Sequence, residues 1–384
     1  MKSKDIISRQ LARRISERLF QGKAIILLGP RQSGKTTLIQ NVLEGTGEKY
    51  LMLNADEPDV RELLEGATSA RLRTIIGDSR IVCIDEAQRI HNIGLTLKLL
   101  TDQIPEVQAI ATGSSSLELG SSIAEPLTGR KFEFTLPSLA FAELANHHGL
   151  LEERRFLEHR MLYGSYPEVI TTPGREEELV RLLADSYLFK DLLTLNGIKK
   201  PSLLDRIVKA LALQLGSEVS LSEISRTAGA DTHTVERYID LLEKAFVIFR
   251  VPAYSRNVRN EIKKGRKIYF LDNGVRNAMI GNFLPLSSRT DTGALWENYL
   301  VVERRKMLMN NGINATAYFW RTTQQQEIDY IEEKEQSLLA CEFKWNPNKT
   351  RSRFPATFLR AYPQAQTRSI TPSNYDLFLT QADF

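Results

Sequence analysis

Cysteine and histidine are scarce, with two of the first and five of the second in 384 residues. Cys83 and Cys341 lie in separate apolar runs, which suits buried reduced thiols rather than a disulfide. No histidines have the spacing of a zinc site. Long apolar runs are missing too, and none approaches the roughly 18 residues needed to span a bilayer. The opening MKSKDIISRQLARRISERLF is charged throughout and lacks the apolar stretch of a secretion signal. These absences set the expectation of a cytoplasmic chain with no membrane partner. Nor is there a strong charge of one sign. A net charge of +4 and a pI of 8.9 permit a nucleic-acid partner without demanding one. The early basic residues Lys2, Lys4, Arg9, Arg13, Arg14 and Arg18 read as a solvated helix face before the first strand rather than as a phosphate-binding patch.

What remains is ordinary globular material. With 42% hydrophobic and 26% charged residues, neither disorder nor a fibrous repeat is indicated. The length exceeds what one core serves, so two or three domains are expected.

The stretch KAIILLGPRQSGKTTLIQNVL is an apolar run, a glycine-containing loop and a helical pattern in succession. Gly29, Gly34, Lys35 and Thr36 fit G-x-x-x-x-G-K-[ST], the loop in which backbone N–H groups curl around phosphate oxygens at a helix N-terminus. Gly29, Pro30, Arg31, Gln32, Ser33, Gly34, Lys35, Thr36 and Thr37 are therefore the expected nucleotide-binding run. Within it, Lys35 faces the β- and γ-phosphates and the Thr36 hydroxyl faces Mg²⁺. RIVCIDEAQRI supplies the partner, a buried strand over 81–84 ending in Asp85 for the metal and Glu86 for the attacking water. VQAIATGSSS adds a strand ending in Thr112, Ser114 and Ser115, all available to a γ-phosphate. Strands near 24–28, 50–54, 81–84, 108–112 and 131–135 alternate with helical patterns, which predicts a parallel α/β sheet with nucleotide at the C-terminal strand edge. Arg130, before the fifth strand, is the candidate arginine finger, acting in its own subunit or a neighbour's. Arg31 and Arg89 are alternatives, and a plain surface role competes with all three.

From Ser138 to about Lys200 the pattern is helical, interrupted by a turn at Tyr163–Glu168, and nothing in it carries chemistry unaided. Three helices then follow across residues 203–244. The second opens with a capping box from Ser220 to Glu223 and stops at Gly229. With the strand VIFRVPAY behind them they predict a winged helix-turn-helix. Its third helix would offer Thr232, His233, Thr234, Glu236 and Arg237 to a DNA groove, although Asp231, Glu236 and Asp240 dilute the positive charge there. Packing against protein is the competing use.

SRNVRNEIKKGRK reads as a basic exposed hairpin or loop, and IYFLDNG as a strand with a turn. The helix GALWENYLVVERRKML should face Leu295, Tyr299, Val302 and Leu308 inward. AYFWRT, QEIDYIEE and LLACEFKW read as three successive strands. Alternation in the last puts Leu339, Cys341, Phe343 and Trp345 on one face and Ala340, Glu342 and Lys344 on the other. Two charges aimed one way from an apolar strand need partners. Glu297 on the helix and Asp329 on the preceding strand can supply them. Glu297, Asp329 and Glu342 could hold a divalent cation, and Lys344 could steady a hydroxide.

Taken in order, LLGPRQSGKTTL, IVCIDEAQRI, ATGSSS, LTGRKFEFTLPSLAFAEL, YGSYPEV, RYIDLLEKAFVIFRVPAYSRN, KIYFLDNGVRNA, GALWENYLVVE and QEIDYIEE…CEFKW resemble one family along nearly the whole chain. It is that of prokaryotic AAA-like P-loop ATPases with a winged helix and a C-terminal uncharacterised domain related to PD-(D/E)xK nucleases. The resemblance implies ATP and Mg²⁺ at the P-loop, with hydrolysis. It implies nuclease-like positions at Glu297, Asp329, Glu342 and Lys344, which would take a second divalent metal. The expected domains are 1–160 for the ATPase, 161–255 for the helical lid and winged helix, and 256–384 for the α/β restriction-endonuclease-like part. DNA and a protein partner both remain open as the object of the switch, as does assembly into a homo-oligomer. No second arginine sensor is evident in the helical region.

Overall fold

The computed structural model describes residues 6–114, 120–185, 200–255, 265–335, 337–346 and 354–382. They form two compact units, one of Ser8–Ser138 with Lys244–Phe246, and one built mainly from Leu139–Glu243 and Val247–Phe384.

In the first unit five strands form one parallel sheet: β1 (Ala24–Leu28), β2 (Tyr50–Asn54), β3 (Ile81–Asp85), β4 (Gln108–Gly113) and β5 (Lys131–Thr135). Their order is β2-β3-β4-β1-β5. AIILL and IVCID are buried at every position, because helices cover both faces of the sheet and each residue finds an apolar layer whichever way it points. Ile26, Leu28, Val82 and Ile84 meet the layer containing Val60, Leu72 and Leu97. Their neighbours Ile25, Leu27, Ile81 and Cys83 meet Leu11, Ile15, Leu38 and Ile39 on the other side. Ile39 has no exposed surface, and its truncation to Ala costs about 2–5 kcal/mol. The expected strand positions and parallel sheet are therefore found.

The second unit begins with helices Phe141–His148, Leu150–Arg155, Leu157–Tyr163, Pro167–Thr171 and Glu176–Asp185. The helical pattern predicted past Asp185 lies outside the described residues, as does Ser115. Helices Pro201–Leu213, Leu221–Ala228 and Thr232–Lys244 follow. Ser220 caps the middle one by accepting from the Glu223 N–H, and Gly229 ends it in a left-handed conformation at φ 68°. Strands β6 (Ile248–Pro252) and β7 (Arg266–Phe270) then pair antiparallel.

The C-terminal α/β part combines the helix Thr292–Asn311 with β8 (Thr316–Arg321), β9 (Glu327–Lys334), β10 (Ser337–Phe343) and β11 (Gln366–Ile370). The order is β11-β10-β9-β8, with β11 parallel to β10 and the other pairs antiparallel. Leu295, Tyr299, Val302 and Leu308 are buried as expected, but so are Glu303, Arg304 and Lys306 on the same helix. Those charges are matched. Arg304 forms a two-point pair with Glu332, and Lys306 pairs with Glu303 at 2.7 Å. β10 departs from simple alternation, since six of its residues are buried in succession and Glu342 is among them.

Candidate functional site

The phosphate loop leaves the C-terminal end of β1. At Gly29 a Cβ would stand 2.3 Å from the Leu136 carbonyl oxygen, so only glycine lets the loop pass beside the end of β5. Gly34 caps the helix Lys35–Thr46 at φ 91°, again a glycine conformation. Lys35 is buried, and its Nζ donates to the carbonyls of Gly29 and Pro30 at 2.9 Å each. Arg9 braces the loop from outside by donating to the Ser33 carbonyl at 2.8 Å and the Pro137 carbonyl at 2.6 Å.

The Thr36 hydroxyl donates to Asp85 Oδ2 at 2.7 Å. The other Asp85 oxygen accepts from the Thr112 hydroxyl and from the Glu86 N–H. Glu86 sits at φ 51°, an uncommon left-handed position for a non-glycine residue, at the turn from β3 into a short 3₁₀ helix. Its carboxylate accepts from Gln88 Nε2 at 2.5 Å, and the same nitrogen is 3.1 Å from the Ser114 hydroxyl. The expected residues Lys35, Thr36, Asp85, Glu86 and Ser114 thus share one edge of the sheet. This donor set fits a nucleoside triphosphate with a hard divalent cation. Thr36 and Asp85 present adjoining oxygens, Lys35 presents an ammonium, and the buried Ser33 Oγ has no hydrogen-bond partner among the described residues. Arg9, expected on a solvated helix face, is instead buried against the loop, and Gln88 did not emerge from the motif. A polar Gln two residues after the acid pair was the only signal for Gln88.

Arg130 is a correction. Its carbonyl accepts from the Ala24 N–H, and Ala24 is opposite Lys131, so Arg130 lies at the N-terminal edge of the sheet. Parallel strands put that edge opposite the phosphate loop, and the guanidinium is engaged with Asp102 at 2.7 Å. A finger role toward its own subunit's nucleotide is excluded. Arg89 is exposed and 3.4 Å from Asp56, while Arg31 lies half-buried in the loop itself.

In the second unit the register that pairs Cys341 with Tyr330 brings Asp329 beside Glu342. Asp329 accepts from the Phe343 N–H at 2.7 Å, and Lys344 pairs with Glu342 at the same distance. Glu297 points into this cluster, where Lys267 meets it. Lys267 Nζ lies 2.8 Å from Glu297 and 2.6 Å from Glu327, and the Tyr269 hydroxyl also donates to Glu297 at 2.7 Å. Burial pushes Glu297 up to about 7 against the pull of Lys267, and Asp329 adds to the rise. Burial likewise raises Asp329 and Glu342. For Lys267 burial acts downward, but Glu297, Glu327 and Asp329 outweigh it and hold the ammonium charged. Among the described residues no group of three or more His, Cys, Asp or Glu side chains is arranged to hold a metal ion. Of the expected basic exposed hairpin or loop, residues 256–264 lie outside the described residues, and Lys267 at its end is a second correction, being fully buried on β7.

On the helix Thr232–Lys244, His233 and Arg237 are exposed while Thr234 is tied to Asp231. Glu236 accepts from Arg250 and Arg266 of the β6–β7 hairpin, and Asp240 and Glu243 also engage Arg250.

Comparisons with known proteins divide the chain in the same order. Residues 21–145 match the family model described as AAA domain, residues 154–286 a domain of unknown function (DUF8612), and residues 292–382 a domain of unknown function (DUF4143). An uncharacterized protein of Mycobacterium tuberculosis is 27% identical over 332 residues, covering 84% of this chain and 71% of the relative. An uncharacterized protein of Haemophilus influenzae is 26% identical over 282 residues, covering 67% and 69%. Among solved structures, a Walker-type ATPase of Pyrococcus abyssi superposes with a TM-score of 0.51 at 18% identity, over 72% of this chain and 97% of that one. That likeness speaks to fold. No helix among the described residues is long and apolar enough to cross a membrane. The loop and the Thr36–Asp85 contact both lie within residues 21–145, the stretch similar to the AAA domain, and a helical region and a C-terminal α/β domain follow it.

Proposed function

We propose that this chain hydrolyses ATP and uses the nucleotide to switch a C-terminal module that binds a protein partner without cutting nucleic acid. The observation that carries the first half is the 2.7 Å contact between Thr36 and Asp85 with Glu86 directly behind it. Lys35 and the loop N–H groups bind the phosphates, and Mg²⁺, when bound, offsets their negative charge. Glu86 takes a proton from water as the water oxygen bonds to the γ-phosphorus and the bond to the β–γ bridging oxygen breaks. General-base assistance of this kind is worth about 10²–10⁴ in rate. Arg130 is left as a finger toward a neighbouring copy, which would make turnover depend on protein concentration. Lys35→Ala is expected to abolish Mg²⁺-dependent phosphate release. Equal release by wild type and variant would refute the assignment.

The second half rests on Lys267, whose ammonium already neutralises the carboxylates a metal would need. A second reading, action on DNA with metal-dependent cleavage, is favoured by three helices followed by a two-stranded hairpin, as in a winged helix, and by Asp329, Glu342 and Lys344 lying together. Incubation of supercoiled and linear DNA with Mg²⁺ or Mn²⁺, with and without ATP, separates the two. Cleavage lost in Glu342→Ala and Lys344→Ala would establish the second reading. Intact DNA, together with turnover that DNA leaves unaltered, would favour the first.

A further inference from the structure

The amide of Gln88 stands at the centre of the candidate hydrolytic site, on the 3₁₀ turn Ala87–Arg89 that follows β3. Its nitrogen reaches Glu86 Oε2 at 2.5 Å and Ser114 Oγ at 3.1 Å, joining the end of β3 to the end of β4. Its oxygen is buried and has no hydrogen-bond partner among the described residues. A buried acceptor left without a donor is destabilising, so its retention beside the general base calls for a donor. An attacking water is such a donor. It has two O–H groups, and Glu86 takes only one of them.

We propose that Gln88 belongs to the hydrolytic machinery. Its N–H group fixes the Glu86 carboxylate against Ser114, and its amide oxygen accepts the O–H that the water keeps. The water is then held by two acceptors, with its lone pair free to meet the γ-phosphorus. One proton passes to Glu86, and the other remains on the oxygen that leaves as phosphate. Gln88 itself exchanges no proton. It acts on orientation, where a displacement of about 1 Å can cost on the order of 10²-fold. This inference rests on the ATPase reading.

The test compares wild type, Gln88→Ala and Gln88→Glu in steady-state ATP hydrolysis, with Kd for a fluorescent ATP analogue measured alongside. Gln88→Ala should lower kcat by roughly ten- to a hundredfold while the Kd changes less than about twofold. Unaltered Kd also certifies the fold. Gln88→Glu keeps the shape but replaces the N–H donor by a second carboxylate beside Glu86, so its kcat should also fall roughly ten- to a hundredfold. If wild type hydrolyses ATP and Gln88→Ala keeps its kcat within twofold, the role of Gln88 is wrong and the ATPase stands. A parallel loss of kcat and binding would reduce Gln88 to a structural prop and also overturn the proposal. Absence of hydrolysis by wild type would instead remove the reading beneath it.

Discussion

Lys267 Nζ and Glu297 Oε1 are 2.8 Å apart inside the second unit, with the lysine 1% exposed and the glutamate 12%. The lysine comes from β7 and the glutamate from the long helix, so the pair ties the hairpin to the α/β part. Removing one member strands the other's charge, which costs about 3–5 kcal/mol. Lys267→Met should therefore lower stability by that amount in urea denaturation. Adding Glu297→Gln should return a large share of it, since no uncompensated carboxylate then remains at that position. A single variant within about 1 kcal/mol of wild type would mean that water already screens this pair.

Gly164 closes the helix Leu157–Tyr163 at φ 75°, and a Cβ there would come within 1.8 Å of Asp272 Oδ1. The Asp272 carboxylate is fixed in place by the Ser165 and Val275 N–H groups. Gly164→Ala thus meets both backbone strain and a wall that cannot yield. It is expected to cost at least about 3 kcal/mol by chemical denaturation. Gly174→Ala, also at positive φ but with open space around the added carbon, should cost less.

Asp291 accepts from the buried Arg289 and Arg276. Burial works against its charge, yet the two guanidinium groups hold the carboxyl at about 2, below its ordinary 3.8. The folded chain gives up this proton more readily than the unfolded one. The stabilisation is therefore complete above pH 3.8 and drains away as the pH falls toward 2. After allowance for solvent at a partly exposed group it amounts to about 1–2 kcal/mol. The stability difference between wild type and Asp291→Asn should narrow over that interval, and a difference constant from pH 6 to pH 2 would contradict the linkage.

The parallel sheet and its phosphate loop could be read from local spacing alone. AIILL and IVCID are continuous apolar runs because both faces of their strands are covered, and the loop between β1 and its helix is defined by residues within eight positions of one another. Lys267 could not be read that way. It ends a basic run, and its burial is decided by Glu297 and Glu327, 30 and 60 positions further on. For Arg130 only the finger role within its own subunit is overturned, and the reason is different. A residue just before a parallel strand lies at the edge away from the phosphates, and that geometry needed to be weighed against mere proximity to a strand. Asp329 and Glu342 came together because hairpin register follows from a short turn and two alternating strands. The carboxylates of Glu236 and Asp240, which engage Arg250, were legible only in part, as acidic dilution of a helix, and that of Glu243 not at all.

Arg9 grips the carbonyls of Ser33 and Pro137, so the ninth residue of the chain is a structural part of the phosphate loop. Trimming the chain back through this position when designing an expression clone would loosen the loop from two sides at once. Such a shortened product could fold and still handle nucleotide poorly, and its inactivity would say nothing about the intact chain.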